Sequence, residues 1–282
     1  MRSLELGVQS ADGHHAELIA RIPGAPRASL LWLPALGIAA RHYIPLAEAL
    51  AARGVAVFLH EWRGNGSSSV RAGGGIDWGY RELLDDIDAS SAALMIHANG
   101  LPRLVGGHSL GGQLACIHAA LSPGSIRAVW LVASGAPYWR AFAWPMRWLL
   151  PPAARFLQWL AQRRGFLPGR RIGFGGNEAA RVMNDWARTA LSGRYAAAGI
   201  HKDIETALAA FNGNVRALTL EKDWMAPTSS LQFLLSKLAK SHISQVHFSG
   251  AQVGTSADHF AWMKHPEAVA DWLVDSIATK PI

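Results

Sequence analysis

Six short apolar segments recur along the chain, and helical patterns separate most of them. Each segment is bounded by turn residues, as expected of a buried strand. The segments read ASLLWLPAL, GVAVFLHEW, RLVGGHS, IRAVWLVAS, VRALTLEKD and SQVHFSG. Strands that are apolar on both faces and alternate with helices are typical of a parallel sheet that helices cover on both sides. The sequence therefore predicts an α/β fold.

Two parts of the chain depart from this rhythm. At the start, SLELGV and AELIARI flank Asp12-Gly13, a dipeptide suited to a tight turn, and this pattern predicts an antiparallel hairpin. Later, about eighty residues separate IRAVWLVAS from VRALTLEKD, far more than an ordinary connection needs. We therefore expect a helical cap over residues 137–213, inserted into a core formed by residues 1–136 and 214–282. The cluster GRRIGFGG in the cap lacks a strand-to-helix context and predicts flexible turns.

One serine stands between glycines where an apolar segment ends and a helix of small residues begins. The stretch Gly107-His108-Ser109-Leu110-Gly111 has the pattern G-x-S-x-G. A sharp strand-to-helix turn needs glycines at these two positions, because side chains there would clash as the helix folds back on the strand. Such a turn exposes the serine hydroxyl at the edge of the sheet, and the amide of Leu110 can face a developing oxyanion. Ser109 is the predicted nucleophile.

A serine nucleophile needs a histidine base, and in this architecture the base follows the nucleophile and the acid along the chain. His259 follows the last apolar segment and a polar loop, and it precedes a terminal helix. The alternatives are His242 and His247, at or within the segment, and His265, at the predicted start of the helix. We predict His259 as the base.

The acid that orients the histidine is expected in the loop after the fifth segment. Asp223 in LTLEKDWMAP is the first candidate. Glu221 is the competitor, although alternation assigns it to the strand, where its side chain would face one side of the sheet. Asp258 is adjacent to His259, which is poor geometry for holding the far ring nitrogen, so we interpret it as a solvated or helix-capping carboxylate.

A second oxyanion donor is expected in the loop after the first parallel strand. Leu36, or alternatively Ala35, is the candidate, because Gly37 lets the backbone turn tightly there. The His-Gly that usually leads into this loop is replaced by Pro34-Ala35.

The composition of the chain restricts its expected cellular location and the classes of partner that it is expected to bind. The formal charge is +7, and residues 136–195 hold ten arginines against two acids, Glu178 and Asp185. No nucleic-acid-binding module accompanies this charge, so nucleic acid is not an expected partner. We interpret the arginines as a solvated surface in preference to a face for an acidic substrate or an anionic membrane. A single cysteine and an N-terminus without a continuous apolar stretch predict a cytoplasmic protein.

With these residues in view, the chain resembles the α/β-hydrolase superfamily. GGHSLGG is similar to its nucleophile elbow, HEWRGNGSS to the turn after the next parallel strand, EKDWMAP to its acid loop and DHFAW to its histidine loop. Glu61 stands where that turn usually has aspartate, and we expect it to pair with Arg63 and brace the loop. The likeness is greatest to bacterial hydrolases grouped with serine aminopeptidases and monoacylglycerol lipases. It implies a mostly parallel eight-stranded sheet, no cofactor and acyl-transfer chemistry.

These residues predict a serine hydrolase that cleaves a carboxylic ester of a small molecule through an acyl-enzyme, with thioesters and amides as alternatives. Ser109, His259 and Asp223 form the predicted triad, Leu110 and Leu36 form the oxyanion hole, and no metal is expected. An acyltransferase, an aminopeptidase-like amidase and a non-catalytic binding module remain alternatives. An aminopeptidase needs an acidic anchor for the substrate amine, and the arginine-rich cap disfavours that reading.

Overall fold

A computed structural model describes residues 1–278 of the 282-residue chain. Ten strands lie in this range. They are β1 (Arg2–Gln9), β2 (His15–Ile22), β3 (Ala28–Leu33), β4 (Val55–Leu59), β5 (Arg103–His108), β6 (Ala128–Val132), β7 (Phe166–Pro168), β8 (Asn177–Ala179), β9 (Asn214–Leu220) and β10 (His242–Phe248).

Eight of the strands form one sheet in the order β1-β2-β4-β3-β5-β6-β9-β10. The pairs β1·β2 and β2·β4 are antiparallel, and the remaining pairs are parallel. The predicted hairpin is present, with Gln9 opposite His15 and Gly13 at a φ of 88° in the turn. The sheet confirms the prediction of a mostly parallel α/β fold.

Ten helices accompany the strands in the described range. They are α1 (Ile44–Ala52), α2 (Tyr80–His97), α3 (Leu110–Leu121), α4 (Met146–Arg164), α5 (Gly169–Ile172), α6 (Ala180–Ser192), α7 (Ile204–Ala210), α8 (Thr228–Leu235), α9 (Gly250–Val253) and α10 (Glu267–Ala278).

The two faces of the sheet are buried under different helices. Side chains alternate along a strand, so Leu31 and Leu33 of β3 join the core beneath α2, α3, α7 and α8. Leu30 and Trp32 of the same strand join the opposite core, beneath α1 and α10. This double burial is why the central strands are apolar on both faces.

Residues 137–213, which we call the insertion, lie between β6 and β9. Helices α4 and α6 pack against each other there, and α7 packs on α3. The antiparallel pair β7·β8 joins Phe166 to Ala179. The sequence does not predict this pair, because a strand of three residues is too short to show periodicity.

Two further features concern the chain as a whole. The single cysteine, Cys116, is buried in α3, and burial raises the pKa of its thiol to about 12. Among residues 1–278, we find no helix with the length and apolar character required to cross a bilayer.

Candidate active site

The predicted nucleophile lies on a strained turn between β5 and α3. Ser109 has a φ of 55° and a ψ of −122°, in the region that only glycine adopts freely. A Cβ on Gly107 would lie 2.4 Å from the carbonyl carbon of Gly111, and one on Gly111 would lie 2.1 Å from the Leu33 oxygen. Both positions therefore require glycine, for the reason that the sequence pattern indicated.

Asp223 and His259 are in direct contact. Asp223 follows β9, and its Oδ2 accepts a hydrogen bond of 2.8 Å from His259 Nδ1. The other carboxylate oxygen, Oδ1, accepts the amides of Met225 and Ala226 at 2.9 and 3.0 Å. These two amides fix the carboxylate, and the carboxylate in turn fixes the imidazole.

The remaining ring nitrogen of His259 is available. Nε2 is buried and has no hydrogen-bond partner among the described residues. Ser109 and His259 line the same cavity, but no hydrogen bond joins the Ser109 hydroxyl to this nitrogen. Catalytic hydrogen bonds are often long before substrate binds and shorten in the complex.

The rival histidines have other positions. His242 begins β10 on the exposed side, and His265 precedes α10. The Nδ1 atom of His247 lies 3.0 Å from the Thr219 hydroxyl, within the sheet. None of the three lines the cavity that contains Ser109.

The rival acids also have other partners. Glu221 lies one residue beyond β9, so assigning it to the strand was wrong, and its exposed carboxylate accepts the Gly250 amide at 3.3 Å. Asp258 accepts the amides of Phe260 and Ala261 at 3.0 and 2.8 Å. It therefore caps the short turn after His259, as expected.

The two oxyanion candidates in the loop after β3 can be distinguished. The Ala35 amide donates to the Tyr43 hydroxyl at 2.9 Å and is therefore occupied. The structure gives the Leu36 amide no acceptor within residues 1–278, and Leu36 lines the cavity beside Ser109. Leu110 is the first residue of α3, where amides have no partner inside the helix. Leu36 and Leu110 thus have amides free to bind an anion.

Tyr43 links the loop that follows β3 to the turn that carries Ser109. Burial lowers the pKa of the His108 imidazole well below its usual range, so the ring is neutral. Its Nδ1 accepts a hydrogen bond of 2.8 Å from the Tyr43 hydroxyl, which in turn accepts the Ala35 amide. Sequence reasoning missed this relay, because no pattern connects Tyr43 with a histidine 65 residues later.

The insertion packs closely against the loop that follows β3, with backbone against backbone at Gly37. A Cβ on Gly37 would lie 2.0 Å from the Gly176 nitrogen, so the two loops pack without side chains between them. Glu178 fixes this part of the insertion, because its Oε1 accepts the Gly176 amide at 2.7 Å. Burial raises the pKa of Glu178 to about 7. The GRRIGFGG cluster was expected to form turns, but its first half is helix α5, and only its second half turns, with Gly173 and Gly175 at positive φ.

The expectation that Glu61 pairs with Arg63 was wrong. Arg63 binds Asp86 of α2 through Nε at 2.6 Å and Asp12 of the hairpin turn through Nη1 at 2.6 Å. Glu61 instead accepts the Ala40 amide at 3.2 Å. The physical reason is that folding brings two carboxylates from distant segments to the guanidinium, whose donors they occupy.

The cavity that joins these groups has a volume of about 130 Å³. Ser109, Gln113 and His259 provide its polar side chains, and no acidic, lysine or arginine side chain of the described chain lines it. The insertion contributes apolar residues, namely Phe142, Met146, Leu150, Phe174 and Trp186. Among residues 1–278, no group of histidine, cysteine and acidic side chains is arranged to hold a metal ion.

Comparisons with solved structures are consistent with this fold. An esterase, EaEST from Exiguobacterium antarcticum, superposes with a TM-score of 0.67 at 14% identity, covering 98% of this chain and 100% of that one. Est1E from Butyrivibrio proteoclasticus, solved with ferulic acid, superposes with a TM-score of 0.67 at 16% identity, covering 97% of this chain and 100% of that one. A lipase in an open form superposes with a TM-score of 0.67 at 17% identity, covering 99% of this chain and 100% of that one. At these identities the likeness establishes the fold.

Sequence comparison identifies the family. A search of curated proteins finds no significant match. The family model described as serine aminopeptidase, S33, matches residues 24–210, which are 187 of the 282 residues. The match contains Ser109 and ends before Asp223 and His259. The chain is therefore an α/β hydrolase and belongs to the serine aminopeptidase S33 family.

Proposed function

We propose that this hydrolase is a serine esterase that cleaves carboxylic esters with an apolar acyl group, using Ser109, His259 and Asp223. The observation that carries the proposal is the position of Ser109 and His259 on one cavity, with the far nitrogen of the imidazole bound to a buried carboxylate. The esterases and the lipase with the same fold add support for this class of reaction.

The chemistry follows from which atoms are occupied. Because His259 Nδ1 donates to Asp223, Nε2 carries a lone pair and accepts the Ser109 proton as Oγ attacks the ester carbonyl. His259 gives that proton to the leaving alkoxide, which departs as an alcohol. His259 then takes a proton from water as the water attacks the acyl-enzyme, and returns it to Ser109 as the carboxylic acid is released. Asp223 holds the tautomer and stabilises the imidazolium.

The amides of Leu36 and Leu110 stabilise the tetrahedral oxyanion. Each such donor typically lowers the barrier by ~3 kcal/mol in a preorganised site. Leu36 is held in place from two sides, by the Tyr43 hydroxyl on the Ala35 amide and by the Gly37–Gly176 contact. Leu110 is held by α3 itself.

The cavity lining favours a neutral substrate with an apolar acyl group. An aminopeptidase must bind an ammonium, and an ammonium without a carboxylate partner is costly to bury. The two acids of the arginine-rich segment are engaged elsewhere, Glu178 on the Gly176 amide and Asp185 on the Tyr80 amide and Arg188. We therefore favour ester over peptide cleavage, despite the name of the family.

A fluorophosphonate probe and p-nitrophenyl esters test the proposal. Wild-type protein should be labelled and should hydrolyse the esters, whereas Ser109→Ala should lose both activities while remaining folded. Ser236→Ala, which removes an exposed hydroxyl at the end of α8, is the matched control and should behave as wild type.

Other outcomes would identify the alternatives. Absence of labelling in folded wild-type protein would overturn the proposal in favour of a binding module. Faster cleavage of aminoacyl p-nitroanilides than of esters would indicate an aminopeptidase. A new acyl product in the presence of an added alcohol or amine, at the expense of hydrolysis, would indicate an acyltransferase.

A further inference from the structure

Helix α4 exposes apolar side chains on the face that a surface helix normally gives to polar ones. Its inner face is buried through Ala154, Leu157 and Ala161. The opposite face carries Trp148, exposed to 64%, and Phe156 and Trp159, each exposed to 55%. Because an α-helix has 3.6 residues per turn, these three lie on one side of the helix. Both tryptophans of this helix therefore face outward.

Neighbouring residues extend this surface. Trp144, just before the helix, is exposed to 81%, and Leu149 to 55%. We call the surface the aromatic ridge, and it consists of Trp144, Trp148, Leu149, Phe156 and Trp159. Clusters of exposed apolar side chains on one element mark an interaction site rather than ordinary surface.

The charge around the aromatic ridge has one sign. Residues 137–177 contain seven arginines and no acid. None of these arginines forms a salt bridge in the described part of the chain. Arg155 and Arg163 lie on the same side of α4 as Trp148 and Trp159, by helical spacing. The ridge is therefore apolar and cationic at once.

We propose that the aromatic ridge docks on the surface of an anionic lipid bilayer. Tryptophan and phenylalanine interleaved with arginine are typical of helices that lie in the interfacial plane of a membrane. Anionic headgroups complement the unpaired guanidinium groups, and the boundary with the acyl chains accepts the aromatic rings. A nucleic-acid partner would satisfy the charge alone and would leave Leu149 and Phe156 without a partner.

Docking would place the cavity at the membrane. The inner side of α4 contributes Met146 and Leu150 to the cavity that contains Ser109. The same helix thus carries the aromatic ridge on one side and a wall of the cavity on the other. The docking proposal concerns membrane binding alone. Its test therefore gives the same answer whether or not the protein is an esterase.

Vesicle co-sedimentation of the full chain, without substrate, tests the proposal. We expect binding to vesicles of phosphatidylcholine and phosphatidylglycerol at 7:3, much weaker binding to pure phosphatidylcholine, and a loss of binding in high salt. The double variant Trp148→Ser/Trp159→Ser should bind at least about tenfold more weakly, and so should Arg155→Glu/Arg163→Glu. All four positions are exposed, so the fold should be retained, which circular dichroism checks.

Ile96→Ser is the matched control, because Ile96 is an apolar residue of α2 that is exposed to 80% and lies outside the aromatic ridge. It should bind vesicles as wild type does. Failure of wild-type protein to bind the anionic vesicles would overturn the proposal, and so would binding that both double variants retain. A concentration-dependent dimer that the ridge variants abolish, without vesicle binding by wild type, would instead assign the ridge to self-association.

Discussion

The cavity has one wall from the sheet and its loops and a second wall from the insertion, and the two walls are built differently. The first wall presents the three polar side chains Ser109, Gln113 and His259, and Asp223 behind it holds the His259 imidazole by a hydrogen bond between residues 36 apart in the chain. The second presents apolar side chains such as Leu150 and Trp186, and its polar anchor, Glu178, is turned toward backbone.

The difference suggests a division of roles. Groups that must keep a geometry within a fraction of an ångström lie on the sheet, where rigid elements meet. In the proposed reaction, the groups that only need to exclude water and fit an acyl group lie on the insertion. Changes in the first wall should therefore alter turnover, and changes in the second should alter substrate preference or pH response.

The largest effect is expected from Asp223→Asn. The amides of Met225 and Ala226 require an acceptor at Oδ1, so the new amide nitrogen would face His259 Nδ1. The imidazole would then carry its proton on Nε2 and could not accept one from Ser109. We expect kcat for p-nitrophenyl esters to fall by ~10³–10⁴-fold with the fold retained. Asp258→Asn, at the neighbouring carboxylate, is the control, and an equal loss there would contradict the assignment.

Glu178→Gln should produce the next largest effect, on pH-dependent stability. The folded pKa of about 7 lies above the ordinary value of 4.5, so the folded state binds more protons than the unfolded state between these values. Stability from this group is therefore present below pH 4.5 and is lost as pH rises to 7. Glutamine keeps the acceptor for the Gly176 amide but cannot ionise. The free energy of unfolding of the variant, relative to that of wild type, should therefore rise by about 3 kcal/mol between pH 4 and pH 8.

Urea unfolding at several pH values measures this difference. The folded pKa of about 7 is already the net result of burial, which raises it, and of the Gly176 amide and Arg170, which lower it. Glu61 and Asp185, whose pKa values burial also raises, are common to both proteins and cancel in the comparison. Glu17→Gln, at an exposed position of β2, controls for the loss of one carboxylate. A difference between wild type and Glu178→Gln that stays constant with pH would refute the prediction.

Tyr43→Phe tests the relay between the two loops of the first wall. Phenylalanine keeps the packed ring but leaves the Ala35 amide and His108 Nδ1 buried without partners, which costs about 2 kcal/mol of stability. Because the loop that carries the proposed oxyanion donor Leu36 loses its anchor, kcat should fall while KM changes little. Tyr138→Phe is the control, since that hydroxyl makes no hydrogen bond in the described structure. Unchanged turnover in a destabilised Tyr43→Phe would show that the relay is only structural.

The smallest effect is expected from Leu150→Ala on the second wall. The truncation enlarges the acyl side of the cavity, so preference should shift toward longer acyl chains by about tenfold in relative kcat/KM. Leu149→Ala removes the same atoms from the outward side of the same helix and should leave the preference for soluble esters unchanged. A series of p-nitrophenyl esters of increasing acyl length measures both, and equal shifts in the two variants would mean that this wall does not select substrate.

The features that sequence could predict are those that local pattern determines. Apolar runs predicted the central strands, because helices cover both faces of the sheet and the strands are therefore apolar throughout. Gly107 and Gly111 located the nucleophile turn because no other residue fits there. Chain order then led to Asp223 and His259, which the structure brings together, although their catalytic roles remain predictions.

The features that escaped prediction depend on which distant segments meet. Arg63 binds Asp12 and Asp86 rather than nearby Glu61, and no spacing in the sequence encodes that choice. The close approach of Gly176 to Gly37 likewise exists only once the insertion has folded onto the core. The direction of the α4 tryptophans was also hidden, because the helix has apolar residues on both sides.

The burial of Cys116 has a practical consequence. A protonated thiol enclosed in α3 is inert toward maleimides at neutral pH. Any cysteine placed on the surface, for example by Ala153→Cys at an exposed position of α4 outside the aromatic ridge, would be the sole site of labelling in an otherwise native background. A fluorophore attached there could report immersion of the helix without the need to remove a native cysteine.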